Sequence, residues 1–144
     1  MTDIELGTLL ANPFRAGTCF VDDRERAAMA EAAAARGFAV VTADLRDAND
    51  KPALLDALAA ALDFPPTFGH NWDALADSLG DLSWLPAPGY MLLLDHADGL
   101  RKAAPQDFNI LLEMLEDAAR SHATAGIPFW TALTGSGPDF QNGT

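Results

Sequence analysis

Two aspartates four residues apart, Asp73 and Asp77, lie in a stretch of the chain that has no lysine, arginine or glutamate. That stretch runs from Pro52 to Leu100 and holds seven aspartates. The residues around them predict a short helix that follows a loop at Gly69, so both carboxylates share one helix face. Like charges at this spacing weaken a helix by a few tenths of a kcal/mol. Such a face is either a tolerated solvated surface or a site for a strongly positive group.

The composition of the whole chain points the same way. Its 144 residues fit one domain, and 49% of them are apolar, which favours a folded chain over a disordered one. With 21 acidic and 9 basic residues, the formal net charge is −12. That charge argues against nucleic acid or an anionic membrane as a direct partner, and it favours a basic protein attracted by electrostatic steering. The alternative is that the acidity serves only solubility.

Cysteine content and hydropathy predict the compartment. Cys19 is the only cysteine, so no intramolecular disulfide can form. No signal peptide and no run long enough to span a bilayer is seen in the sequence, so we expect a cytoplasmic protein. Cys19 itself lies in a short apolar run that predicts a strand, and it is expected to fill the core rather than to act as a nucleophile.

Apolar segments and helix signals alternate along the chain. We expect a helix or arm in residues 1–16, strands at 18–21, 38–42, 90–94 and 127–133, and helices at 22–36, 50–62, 71–79 and 105–125, with a loose tail at 135–144. The strands are apolar without a period of two, which is typical of parallel strands covered on both faces. The prediction is therefore a single small α/β domain with three or four parallel strands. The acidic helix is expected to break at Gly80, which leaves Asp81 in a turn.

The order of these elements, together with Gly69, Asn71, Asp73, Ala74, Leu75 and Asp77 at their spacing, resembles the barstar family of ribonuclease inhibitors. The resemblance covers about Phe38 to Thr134, and residues 1–37 are expected to add a strand and a helix at one edge of the sheet. It implies a barstar-like α/β fold. It also implies that the chain binds and blocks a small basic ribonuclease, in an antitoxin or immunity role. Since no reactive set of residues is legible in the sequence, we expect no catalytic residues, metal or cofactor. We also expect a monomer when the chain is free.

The resemblance also implies roles for single residues. Asp77 would occupy the phosphate pocket of the enzyme, and Asp73 would pair with another cationic group there. The other expected contact positions lie in the loop and on the helix: Thr67, Phe68, Gly69, His70, Asn71, Ala76 and Asp81. The best-known family member has aromatic residues where Thr67 and Ala76 stand, an acid at the position of His70 and an aliphatic residue at that of Trp72.

Several of these residues also have a purely structural interpretation. Asn71 is a good helix N-cap, and Asp73 in the first turn is favoured by the helix dipole. Asp81 would be a solvated turn residue, and His70 an ordinary exposed loop histidine or a pH-sensitive contact.

Two other functions stay open as alternatives. One is an acidic adaptor that uses the same scaffold for a partner other than a nuclease. The second is a Mg²⁺-dependent, receiver-like phosphoryl site. It would be built from Asp22, Asp23, Asp44 and Asp95 at the strand ends, with Thr134 after the last strand. No lysine follows that strand to contact a phosphoryl group, so the first expectation is that the chain is not an enzyme.

Overall fold

The computed structural model describes residues 3–135, in which helices and strands alternate. The strands are β1 (Thr18–Phe20), β2 (Ala39–Asp44), β3 (Tyr90–Asp95) and β4 (Phe129–Leu133). The helices are α1 (Asp3–Leu10), α2 (Asp23–Ala35), α3 (Lys51–Ala61), α4 (Trp72–Asp81), α5 (Asp98–Ala103) and α6 (Pro105–Thr124). All four strands are parallel, in the order β1-β4-β3-β2. The α/β prediction with three or four parallel strands is confirmed.

Both faces of the sheet are buried under helices. On β3, Leu92 and Leu94 belong to a core that includes residues of α3, α4 and α6. Met91 and Leu93, which alternate with them, belong to a second core formed with α1 and α2. Side chains of successive strand residues point to opposite faces. A strand covered on both faces must therefore be apolar wherever it is buried, as residues 90–94 of β3 are, whereas Asp95 at its end is only partly buried.

Residues 3–37 provide the second of these two layers. β1 pairs with β4 at one edge of the sheet, but α2 packs across the face rather than beside the edge. Leu10 at the end of α1 is 0% exposed, and its carbonyl accepts a 2.9 Å hydrogen bond from the indole Nε1 of Trp130 on β4. Met29 and Ala33 of α2 are buried in the same core.

Helix caps that the sequence indicates are present in the structure. Asp22 caps α2 in a reciprocal capping box with Glu25, and Asp50 caps α3 through a 2.9 Å bond from the Ala53 amide. Each cap satisfies amide groups that the helix itself leaves unpaired. Gly37 follows α2 with φ of 78°, a conformation that glycine adopts without steric cost.

The acidic helix is longer than predicted, because α4 continues through Gly80 to Asp81 and ends where Leu82 adopts φ of 50°. Gly80 faces α6: a β-carbon there would lie 4.0 Å from Ser121 Oγ. A β-carbon would fit at this ordinary van der Waals distance, so the close packing does not require glycine, and the glycine does not end the helix. The prediction that Asp81 lies in a turn beyond the helix is wrong.

Two further differences concern short elements. Helix α5 was not predicted, because its six residues show no apolar periodicity and no side chain caps it at Ala97. The last strand begins at Phe129 and not at Ile127, since Pro128 has no amide to give to a ladder. The predicted loose tail, apart from Gly135, lies outside the described residues.

Cys19 is half-buried, with its Sγ 3.6 Å from the Thr131 carbonyl oxygen. Burial raises the pKa of this thiol to about 11, and the nearby carboxylates of Glu25 and Glu116 add to the effect. A thiol with so high a pKa is a poor nucleophile at neutral pH, which is consistent with a packing role. Within residues 3–135, no helix has the length and apolar character needed to cross a membrane.

The N-terminal layer should be essential for stability. Leu10→Ala is expected to lower the free energy of unfolding by about 2–5 kcal/mol, because it leaves a cavity under the sheet. Ile4→Ala on the same helix is the matched control, since Ile4 is 82% exposed and its removal should change stability by no more than about 0.5 kcal/mol. Urea unfolding of both variants measures the difference. Equal small losses would mean that α1 is not part of the cooperative unit.

Candidate functional site

Helix α4 is fixed to the core along one side. Leu75 and Leu79 are each 0% exposed and pack in the core shared with α3 and α6. The Leu79 carbonyl accepts a 2.8 Å hydrogen bond from Nε2 of His122 on α6. The His122 ring is itself buried and stacks on Phe129 of β4, with centroids 5.4 Å apart and planes at 7°. Apolar packing and one buried hydrogen bond therefore set the position and rotation of α4.

The opposite side of α4 is exposed and acidic. Asp73, Ala76, Asp77 and Asp81 all lie on the surface, at positions that share one helix face. The ion pairs recorded among residues 3–135 involve neither Asp73 nor Asp77. Asp81 accepts a 3.1 Å hydrogen bond from Ser83 Oγ, in the last turn of the helix rather than beyond it. This face presents carboxylates that have no cationic partner in the described chain.

The loop before α4 is held by Asn71. Its Oδ1 accepts a 2.7 Å bond from the Ala74 amide, which caps the helix, and its Nδ2 lies 3.3 Å from the Gly69 carbonyl oxygen as donor. The cap proposed from the sequence is thus confirmed. Thr67, Gly69 and His70 are exposed beside it. Asn71 therefore couples the start of the acidic helix to the conformation of the exposed loop.

A row of aromatic side chains packs against the core side of this loop. We call Trp84, Phe64, Phe68 and His70 the aromatic ladder. Ring centroids are 5.8 Å apart between Trp84 and Phe64, 4.8 Å between Phe64 and Phe68, and 4.7 Å between Phe68 and His70. The inner end is fixed, because Trp84 Nε1 donates a 2.9 Å bond to the carbonyl of Leu62 at the end of α3. Phe68 is half-buried, so a partner would contact its backbone atoms rather than its ring.

Helix α3 brings two charged residues to the same surface. Asp56 Oδ1 lies 3.1 Å from Nε2 of His70, and Lys51 Nζ lies 5.4 Å from the ring centroid of Trp72. Neither residue was singled out from the sequence. Asp56 and His70 are fourteen positions apart, and no local pattern relates an exposed acid on one helix to a histidine in the next loop.

The strand ends do not form an open acidic site. Both carboxylate oxygens of Asp95 accept bonds from Arg26, at 2.6 and 2.8 Å, and Thr134 Oγ1 lies 3.2 Å from Oδ1. The Arg46 amide and then His96 hold the pKa of the Asp44 carboxyl below its usual range. The Asp22 side chain caps α2. In residues 3–135, no three His, Cys, Asp or Glu side chains come together as a metal site would require.

A comparison with protein families matches residues 38–134 to the family described as Barstar (barnase inhibitor). The chain belongs to the Barstar family. The match runs from the residue before β2 to the residue after β4, and it includes the aromatic ladder, the loop and all of α4. A search of curated proteins found no match.

Solved structures resemble the fold over almost the whole chain. The Aeropyrum pernix ORC2 protein, solved in ADPNP–ADP complexes, superposes with a TM-score of 0.59 and 16% identity, over 93% of this chain and 40% of its own. Drosophila ORC bound to DNA gives 0.55 and 19%, over 95% of this chain and 37% of its own. At these identities the likeness concerns the fold alone, and this barstar-family chain spans about two fifths of those proteins.

The Asn71 cap should contribute measurably to stability. Asn71→Ala is expected to cost about 1 kcal/mol of unfolding free energy, because the Ala74 amide loses its acceptor. Asn71→Ser keeps an N-cap oxygen and should recover most of that loss. Urea unfolding compares the two variants. If alanine and serine destabilise equally, the hydrogen bond from Asn71 is not what holds the start of α4.

Proposed function

We propose that the protein inhibits a small basic ribonuclease by covering its active site with α4 and the preceding loop. The observation that supports this most directly is the exposed face of α4. Asp73 and Asp77 project from a helix that the core holds rigidly, and no cation of the described chain pairs with them. The chain belongs to the Barstar family, which is described as inhibiting barnase, and this supports a ribonuclease as the partner that binds the acidic face.

In this proposal Asp77 is the central contact. A ribonuclease binds phosphate through cationic side chains, and a short carboxylate can take the place of the phosphate among them. Charge-assisted hydrogen bonds between a carboxylate and arginine are strong and often bidentate. Asp73 pairs with a second cation. The supporting contacts come from the loop and the helix surface: Thr67, the backbone of Phe68, Gly69, His70, Asn71, Ala76 and Asp81.

The loop and α4 are preorganised for binding. The loop rests on the aromatic ladder, and α4 is bound to α6 through His122. Little conformational entropy is then lost when the partner binds, and more of the interaction energy appears as affinity. Thr67 and Ala76 are small, so the partner must fill the space beside Asp77 with its own side chains.

The charge of the chain defines the rest of the proposal. A net charge of −12 repels nucleic acid and anionic membranes, so we propose neither as a direct partner. We further propose that the protein acts in the cytoplasm, as an antitoxin or immunity protein, and that it is a monomer before it meets the nuclease.

The adaptor function remains the second candidate, because the same acidic face fits any basic protein. An enzymatic function has less support, since Asp95 and Asp44 already have Arg26 and His96 as partners. The Aeropyrum pernix ORC2 structure is one of ADPNP–ADP complexes, but the helix start that follows β1 in this chain is not suited to phosphate. Phosphates favour a free helix N-terminus after a glycine-rich turn, whereas the turn after β1 has no glycine and Asp22 occupies the start of α2.

Binding should be steered by charge. The association rate constant with the nuclease is expected to fall as salt rises from about 0.01 M to above 0.1 M, because the Debye length shrinks from about 30 Å to about 10 Å. Stopped-flow mixing measures this rate constant. A value that does not change with salt would contradict the proposal.

Removal of the central carboxylate should weaken binding far more than it affects folding. If Asp77 enters a desolvated cationic pocket, Asp77→Ala leaves charges of the enzyme buried and unpaired, at a cost of about 2–5 kcal/mol of binding free energy. A carboxylate at the rim would cost at most about 1 kcal/mol. The dissociation constant for the nuclease, measured by titration calorimetry, distinguishes these cases.

The matched control is Glu31→Ala. Glu31 is an exposed acid on α2, which packs on the opposite face of the sheet from α4. Asp56 is not suitable, since it contacts His70 in the loop. If the Asp77 and Glu31 variants both stay folded and lose equally little affinity, Asp77 is not the central contact.

A further inference from the structure

His70 makes two polar contacts that only one form of its ring can satisfy. Nδ1 lies 3.1 Å from the carbonyl oxygen of Phe68, and Nε2 lies 3.1 Å from Oδ1 of Asp56. Both atoms facing the ring are acceptors. A neutral imidazole has one N–H and a protonated imidazole has two. The observed arrangement is therefore fully hydrogen-bonded when His70 carries a positive charge.

We infer that Asp56 and His70 are a positioning pair that holds the partner-binding loop in its binding conformation. This inference rests on the proposed function, and it deepens it by assigning a role to α3. Asp56 reaches from α3 to the last loop residue before the Asn71 cap. The pair therefore fixes the outer end of the loop, while the aromatic ladder fixes it from within.

Backbone geometry explains why the loop needs such a support. His70 adopts φ of 51°, in the left-handed region that residues with a β-carbon seldom occupy. This conformation persists only where surrounding contacts hold it. The contacts of His70 are its ring on Phe68, its Nδ1 on the Phe68 carbonyl and its Nε2 on Asp56. Only the last of these comes from outside the loop.

The pair also sets the charge that a basic partner meets. A protonated His70 on an acidic surface would repel a cationic enzyme unless a carboxylate compensates it. The charged group facing the ring from α3 is Asp56, and the nearest other charged residues along the chain are Asp63 and Asp73. Asp56 would compensate a positive charge on the ring, and it holds Nε2 on the α3 side of the loop.

The first test needs no partner. The Phe68 amide donates to the Pro65 carbonyl and the Ala74 amide to the Asn71 side chain, so their hydrogen exchange reports the order of the loop and of the cap. At pH 6, Asp56→Ala and His70→Asn should each raise the hydrogen-exchange rates of these two amides about two- to five-fold. This is the range expected when an exposed ion pair is lost. Asparagine is chosen because it tolerates the left-handed backbone.

The pH dependence separates pairing from mere packing. A ring with one N–H can satisfy only one of the two acceptors, so the wild-type exchange rate should move towards that of the two variants as the pH is raised from 6 to 8. The difference between wild type and His70→Asn isolates this effect, because the other two histidines, His96 and His122, are present in both proteins. Exchange that is the same in all three proteins at pH 6 would overturn the inference.

The second test is a double-mutant cycle on affinity for the ribonuclease that the chain inhibits, at pH 6. Each single variant should weaken binding about two- to five-fold. The double variant should weaken binding no more than the single variant with the larger effect does. Fully additive losses would show that the two residues act separately and would overturn the positioning role. If Asp77→Ala leaves affinity unchanged, the proposed function fails instead, and the hydrogen-exchange result still decides whether the pair orders the loop.

Discussion

The structure depends on the burial of both faces of a parallel sheet. The central strands β3 and β4 are apolar at every position except Thr131 and the terminal Asp95, so helices must cover them on either side. The core with α3, α4 and α6 covers one face, and the core with α1 and α2 covers the other. The placement of α4 follows from this constraint. Its acidic surface is the side that remains once Leu75 and Leu79 have been buried.

Magnitudes explain why the acidic face of α4 is tolerated. Repulsion between carboxylates at i and i+4 costs a few tenths of a kcal/mol. Complete burial of one leucine side chain contributes about 1.5–3 kcal/mol, and α4 buries two of them. The helix therefore keeps like charges together at little cost in stability. A surface formed in this way can be selected for binding without endangering the fold.

The barstar-family chain and the ORC proteins illustrate how one fold can carry different sites. The sheet and its helices superpose over more than nine tenths of this chain, yet identity is below 20%. At the carboxyl ends of the strands, where parallel sheets commonly bind ligands, Arg26 and Asp95 already pair with each other. Asp73 and Asp77 on α4, in contrast, are exposed and take part in none of these ion pairs. Function must thus be argued from this surface and not from the fold.

The sequence by itself determined the order of the strands and helices apart from α5, the cap at Asn71, and the shared face of Asp73 and Asp77. These depend on contacts within a few residues, or on apolar periodicity, and both can be read along the chain. Tertiary structure alone decided that the helix continues through Gly80, because the packing of Leu75 and Leu79 in the core holds α4 against α6. It likewise decided the contact between Asp56 and His70. Two exposed polar residues on separate elements leave no pattern in the sequence, and only the packing of α3 against the loop brings them within 3.1 Å.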